Sequence, residues 1–219
     1  MKRWVSLVVC LAFLLSFSPA YAQMNEPLGN GHAGIKVDKI NFTAGDLKDL
    51  DAEDGVYLGL DAYWNVSPNI YIGGEIGWAS PDGSRSESFL DPFFGPTPVT
   101  ITLDSEITYI PIEVNAKYVT KLEDNLSVSL GGGISLNRLD ADIKASLTGF
   151  PSLSDSDDDW LFGGQVFIDL NYKMNNFFVG LNGKYQLTQD SDLQFSNFGV
   201  DTDADASNWR IGGQIGWIF

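Results

Sequence analysis

The sequence ends Asn208-Trp-Arg-Ile-Gly-Gly-Gln-Ile-Gly-Trp-Ile-Phe219, and this stretch alternates throughout. Trp209, Ile211, Gly213, Ile215, Trp217 and Phe219 fall on one face of a strand, and Arg210, Gly212, Gln214 and Gly216 on the other, because successive side chains of an extended chain point to opposite sides. A wholly apolar face opposite one that carries an arginine needs two different surroundings.

Working back from it, the same two-sided pattern recurs. Phe177, Val179, Leu181, Gly183, Tyr185 and Leu187 alternate with Phe178, Asn182, Lys184 and Gln186. Trp160 to Tyr172, Leu126 to Leu136, Thr108 to Tyr118, Ile70 to Trp78 and Val56 to Val66 each repeat it. Pro111 falls inside one of these strands and requires a bulge or a locally missing hydrogen bond. In the first strand Ala33, Ile35 and Val37 oppose Lys36 and Asp38, after which the apolar positions become Ile40 and Phe42. That shift of one residue predicts a β-bulge.

The connections also alternate, between long and short. Ala44–Asp54, Ser80–Ser105, Arg138–Asp159 and Gln189–Ser207 read as long, mostly acidic loops, with Val99 to Leu103 able to extend the following strand above the membrane, whereas Ser67-Pro68-Asn69, Thr120–Asn125 and Met174-Asn175-Asn176 are tight turns. Eight strands of about ten residues, joined long at one end and short at the other, predict an all-β fold: an antiparallel up-and-down transmembrane β-barrel with both termini on the turn side.

The N-terminus fits export. Lys2 and Arg3 precede an apolar run from Val5 to Phe17, and Pro19-Ala20-Tyr21-Ala22 supplies an Ala-x-Ala cleavage pattern. Residues 1–22 therefore read as a cleaved secretory signal peptide, 23–31 as a short leader hanging in the periplasm, and 32–219 as the barrel. The one cysteine, Cys10, lies inside the signal, which leaves no disulfide or thiol nucleophile in the mature chain.

Two features separate a membrane barrel from a secreted sandwich. Large aromatics of the apolar phase sit at strand ends: Trp64, Tyr118, Tyr172, Phe177 and Phe219 toward the turns, and Phe42, Trp78, Trp160 and Trp209 toward the loops. Two such girdles bound a lipid band. The opposite phase carries the acids Asp38, Asp61, Glu75, Glu113 and Asp169 and the bases Lys36, Lys117, Lys173, Lys184 and Arg210. A dry sandwich core could not accept these charges, but a narrow lumen could hold them as a paired network, with Tyr57, Tyr63, Tyr71, Phe167 and Phe178 filling the remainder. Arg210 should be held by acids across the lumen, with Glu75, Glu113 and Asp61 as candidates.

The terminal aromatic strand resembles that of bacterial outer-membrane β-barrels, which the barrel-assembly machinery reads. Tyr109-Ile-Pro-Ile-Glu-Val-Asn-Ala-Lys-Tyr118 is similar to a strand recurring in the small porin-family or OmpA-like group, which includes opacity-type and OmpX-like proteins. The resemblance spans the mature chain. It implies a bacterial outer-membrane location with loops outside and both termini in the periplasm, and it leaves the function open.

The net charge of −16 disfavours nucleic acid and other polyanions as partners. Asp155, Asp157, Asp158 and Asp159, with Asp201, Asp203 and Asp205, are carboxylates that could share divalent cations at the lipopolysaccharide surface. The second run has Ala206 where a calcium loop needs glycine, so no metal site is assigned and no cofactor is expected. His32, the only histidine, falls at the turn-side end of the first strand and reads as a surface residue, far from where a lipid-cleaving triad would work. The sequence therefore predicts a non-enzymatic barrel with a side-chain-plugged lumen and acidic loops that meet lipid, lipopolysaccharide or cations. A narrow porin-like channel for small or apolar solutes is the alternative.

Overall fold

A computed structural model describes residues 27–43, 54–89, 99–147, 152–195 and 200–219. The expected signal peptide and the start of the leader lie outside these residues, as does most of the Ala44–Asp54 loop. The strands are β1 (Gly31–Phe42), β2 (Asp54–Ser67), β3 (Ile70–Ala79), β4 (Asp82–Phe89), β5 (Val99–Lys121), β6 (Leu126–Leu147), β7 (Leu153–Met174), β8 (Phe177–Thr188), β9 (Asp190–Phe195), β10 (Val200–Asp205) and β11 (Asn208–Ile218).

Eight of them form the wall. β1 pairs with β2 and β11, the order continues through β8, β7, β6 and β5, and a β3–β5 pairing closes the ring. Every pairing is antiparallel. β4 follows β3 upward along β5, and β9 with β10 makes a separate hairpin. The short turns place Asn69 and Asn175 at φ 65° and 57°, a left-handed conformation that asparagine tolerates better than most residues. At Pro111 the β3–β5 ladder skips from Ile76–Ile112 to Ala79–Tyr109 without changing register, so a locally missing bond, not a bulge, accommodates the proline.

The polarity of the wall is inverted relative to a water-soluble protein. Leu130 is 66% exposed, Leu181 65% and Val56 61%, while Lys36 and Arg210 are 1% exposed. An outer surface this apolar around a charged interior is stable only in lipid. Along β11, Trp209 to Trp217 spans about 26 Å of strand, which at the usual tilt crosses roughly 20 Å of bilayer.

Three expectations are corrected, and one physical cause explains two of them. β1 contains no bulge: its pairings with β2 and β11 run in unbroken register, with Ile40 and Phe42 on the same inner face as Lys36 and Asp38. Arg138–Asp159 is largely not a loop, because β6 continues to Leu147 and β7 starts at Leu153; likewise β4 occupies part of Ser80–Ser105, and β5 does begin at Val99, where the sequence allows the extension. The barrel wall projects beyond the lipid, and there the polarity of its faces exchanges. In β6 the outward residues Leu130, Ile134 and Leu136 give way to Arg138, Asp140 and Asp142, while the inward Ser129, Ser135 and Asn137 give way to Leu139 and Ala141. Outside lipid, the outer face meets water and the inner face can be dry. In β1 this exchange imitates a shift of phase.

The third correction concerns the leader. Its last residues do not hang free: Leu28 is fully buried, and Tyr71 Oη accepts from the Leu28 N–H at 3.3 Å and donates to the Gly29 carbonyl at 2.9 Å.

Candidate functional site

The barrel interior holds the chemistry-bearing side chains, and it is layered. At its centre Lys36 Nζ lies 2.7 Å from Glu75 Oε2 and 3.2 Å from Asp61 Oδ2. Lys184 Nζ bridges Glu113 Oε2 at 2.5 Å and Glu75 Oε2 at 2.8 Å. The Arg210 guanidinium reaches Glu113 Oε1 at 2.6 Å and Glu75 Oε1 at 3.4 Å, and donates to Gln186 Oε1 at 2.8 Å. Two carboxylates from β3 and β5 thus share three bases from β1, β8 and β11. Of the three acids considered for Arg210, Glu113 and Glu75 hold it, and Asp61 is engaged by Lys36.

A second ion pair, Lys117 with Asp169 at 3.2 Å, lies nearer the turns, where Ser129 Oγ also donates to Asp169 at 2.9 Å. Aromatic faces line the bases: Arg210 stands 4.3 Å from the centroid of the Tyr57 ring, and Lys117 Nζ 4.0 Å from that of Tyr63. Such contacts favour a cation whose water has been removed.

Glycines of the inner face make space for these bulky groups. A Cβ on Gly77 would overlap the Tyr57 ring, one on Gly131 the Phe167 ring and one on Gly216 the Phe178 ring. Gly131 pairs directly with Phe167 and Gly216 with Phe178, so each ring lies over the strand next to its own. The small inner residues of β6 accommodate a neighbour on β7 as well as partners opposite.

Toward the long-connection end a neutral amide layer follows. Tyr109 Oη lies 2.9 Å from both Asn137 Oδ1 and Gln186 Oε1, and Gln186 Nε2 donates to Ser135 Oγ at 2.7 Å and Asn137 Oδ1 at 2.8 Å. Above it is an apolar layer of Ile40, Phe42, Ala79, Ile107, Leu139, Ala141, Leu161 and Ala206. Below the charges, Leu28, Tyr63, Tyr71, Val119, Phe167, Phe178 and Ile218 form a second one. The ions are therefore enclosed between two apolar layers.

Not every predicted residue joins this arrangement. Lys173 is half-buried at the turn-side mouth and takes part in no ion pair among the described residues. Asp38 is buried in the lumen, yet no base among the described residues comes within 4 Å, and its Oδ1 has no hydrogen-bond partner. The five-against-five balance read from sequence is thus five acids against four buried bases. Among the girdle residues, Trp78, Tyr118, Trp160, Tyr172, Phe177, Trp209 and Phe219 are exposed outward and Trp64 is half-buried in the outward phase. Phe42 is a correction: it is fully buried, edge-on to Tyr109 at 5.3 Å, because the strand has left the lipid by that point. His32 is a second correction, buried inside the turn-side mouth and not on the surface.

Sequence reasoning missed the amide layer, the upper apolar layer and the girdle residue Trp217, which meets Phe177 edge-on at 4.3 Å. The inward phase carried all of the lumen residues, and continuing it through Leu139 and Ala141 would have found the upper layer.

On the projecting wall, Arg138 pairs with Asp140 at 3.2 Å and Asp158 at 3.3 Å, and Lys39 with Asp54 at 3.0 Å. The Asn41 amide and the Lys39 ammonium hold the Asp54 carboxyl below its ordinary range. Asp155, Asp157 and Asp159 share one face of β7, and Asp158 takes the other. In an extended strand these carboxylates stand in a row and do not form the loop that wraps about six or more oxygens around one ion. Asp201, Asp203 and Asp205 lie on β10, an extended strand and not a calcium loop. Among the described residues no three His, Cys, Asp or Glu side chains are grouped to hold a metal.

The family model described as outer membrane protein beta-barrel domain matches residues 8–165. The chain belongs to that family and is a bacterial outer-membrane β-barrel. Among solved structures, Neisserial surface protein A is similar over 87% of this chain and 98% of its own, with 11% identity and a TM-score of 0.57. The N-terminal β-barrel domain of Pseudomonas aeruginosa OprF has the same coverage and identity with a TM-score of 0.44. Ail of Yersinia pestis covers 86% of this chain and 99% of its own, with 11% identity and a TM-score of 0.45. No curated protein matches the chain.

Proposed function

We propose that this protein is a non-enzymatic outer-membrane barrel whose lumen is sealed by its own side chains, and that its role is structural or one of surface interaction. The observation that carries the proposal is the Glu75–Glu113 network with Lys36, Lys184 and Arg210, enclosed between two apolar layers. Ions held this way leave little freedom for a solute to pass. The projecting, acid-rich hairpins face the outside of the cell and both termini face the periplasm. There the hairpins meet lipopolysaccharide and the divalent cations associated with it, and the aromatic β11 is the strand presented to the assembly machinery. No chemistry is ascribed to His32, whose ring lies among Tyr63, Tyr71 and Phe178 at the turn-side mouth.

A narrow channel is the second reading, and a specific observation favours it. Asp38 and Asn182 face each other in the lumen, yet Asp38 Oδ1 and both Asn182 amide atoms lack a close hydrogen bond, which is where water would enter a wet lumen. Purified protein in planar bilayers separates the two readings. Silence is expected from a sealed lumen; steady unitary steps would put the channel ahead.

A further inference from the structure

The turn-side mouth is closed by a segment of the chain itself, over the only histidine. Leu28 and His32 are buried among Tyr63, Tyr71, Phe178 and Ile218. The His32 ring stacks on Tyr63 at 5.3 Å with an interplanar angle of 17°, tilts against Tyr71 at 5.6 Å and meets Phe178 edge-on at 5.5 Å. Its two nitrogens have no hydrogen-bond partner. The segment above it is fastened locally: Tyr71 Oη holds Leu28 and Gly29, Gly31 exchanges two backbone bonds with Phe219, and Asn65 N–H donates to the Asn30 carbonyl at 2.9 Å. Gly29 adopts φ +66°, and a Cβ there would come within 2.6 Å of Ile218 Cγ2, so the segment fits its seat as glycine only.

We propose that residues Pro27–Asn30 form a latch over this mouth and that acid releases it by charging His32. Every charged or titratable neighbour of the ring bears on the sign. Lys36 lies on its own strand and Lys117 on β5; Asp61 and Tyr63 come from β2, Tyr71 from β3 and Asp169 from β7, while β8 and β11 present the apolar Phe178 and Ile218. Asp61 and Asp169 each keep one oxygen, and Tyr63 its hydroxyl, without a hydrogen-bond partner, but the charge of both acids is already matched by Lys36 and Lys117, so an imidazolium would add a third positive charge beside those two. Neutral His32 tolerates the aromatic seat, whereas the charged ring must reach water, and the route lies through Leu28. The released ring titrates like any exposed imidazole, near about 6.5. Closure is therefore at its maximum and independent of pH well above that value, and well below it the open-to-closed ratio rises about tenfold per unit. The proposal stands whether or not the lumen conducts.

The test is amide hydrogen exchange on the refolded mature chain in detergent at pH 7.5 and 5.0, corrected for intrinsic rates, with the peptide covering residues 27–32 as the readout. Protection of Leu28 and Gly31 is expected at pH 7.5 and its loss, by tenfold or more, at pH 5.0. His32→Phe, which keeps a ring but cannot charge, should stay protected at both; Leu28→Asp should be open at both. Equal wild-type protection at the two values, or equal loss in His32→Phe, overturns the proposal. Because the chain has one histidine, its imidazole NMR signal needs no assignment and serves as a check if a variant fails to fold. A titration midpoint coinciding with the loss of protection supports the latch, and a ring that titrates while the amides stay protected sinks it.

Discussion

Arg210 and Asp38 both lie on the inner face of the wall, on neighbouring strands, and they should respond in opposite directions to loss of charge. Arg210 is held by Glu113 and Glu75, all with fully buried side chains. Arg210→Ala leaves a carboxylate without its base, and breaking a buried pair in this way costs roughly 3–5 kcal/mol, less if water follows. Adding Glu113→Gln should recover much of that loss, because it leaves Glu75 with Lys36 and Lys184 and Asp61 with Lys36. Adding Asp61→Asn should not. Asp38 has no counter-ion to strand, so Asp38→Asn should leave stability unchanged or raise it. Urea unfolding in liposomes reads all four variants, and a destabilised Asp38→Asn would mean that a base reaches it.

The strands that project beyond the lipid can be read as two segments with one phase and two polarities, and the boundary between them marks the edge of the lipid. On β6 that boundary falls between Leu136 and Arg138. Leu130 lies within the lipid segment, and Leu130→Arg should cost about 2–4 kcal/mol near the bilayer midplane. The neighbouring Ser129→Arg faces Asp169 inside the barrel and is limited by space instead. Above the boundary the expectation reverses: Asp142→Leu on the outer face should be tolerated, whereas Leu139→Asp would bury a charge in the upper apolar layer and destabilise strongly. If Leu139→Asp folded as well as wild type, the projecting wall would not be dry inside. The eight-stranded ring was legible in the sequence because alternation survives in every strand. The extent of β6 and β7 was not, because Arg138–Asp159 looks polar to a reader expecting an apolar outer face throughout. The lumen residues could likewise be assigned to a face, while the choice of Glu113 over Asp61 for Arg210 depends on barrel closure, which brings together residues 97 positions apart.

The whole molecule is a charged interior in an apolar jacket, extended at one end by a wall with the opposite arrangement. An even number of strands puts both termini at the turn end, where Gly31 and Phe219 are bonded to each other. The proposed orientation in the cell can be tested through what each end withstands. The turn end is compact: β2 and β3 are separated by Pro68 and Asn69, and β7 and β8 by Asn175 and Asn176. A protease must draw several unpaired residues into its cleft, and turns this short cannot supply them. The other end offers the connections between Phe89 and Val99, Leu147 and Leu153, and Phe195 and Val200, each flanked by paired strands that resist attack. Protease added to intact cells should therefore cut in those connections, leaving fragments that stay associated until boiled in detergent. Cleavage limited to permeabilised cells, or confined to the Pro68, Asn125 and Asn175 turns, would place the acidic hairpins in the periplasm and reverse the proposed orientation.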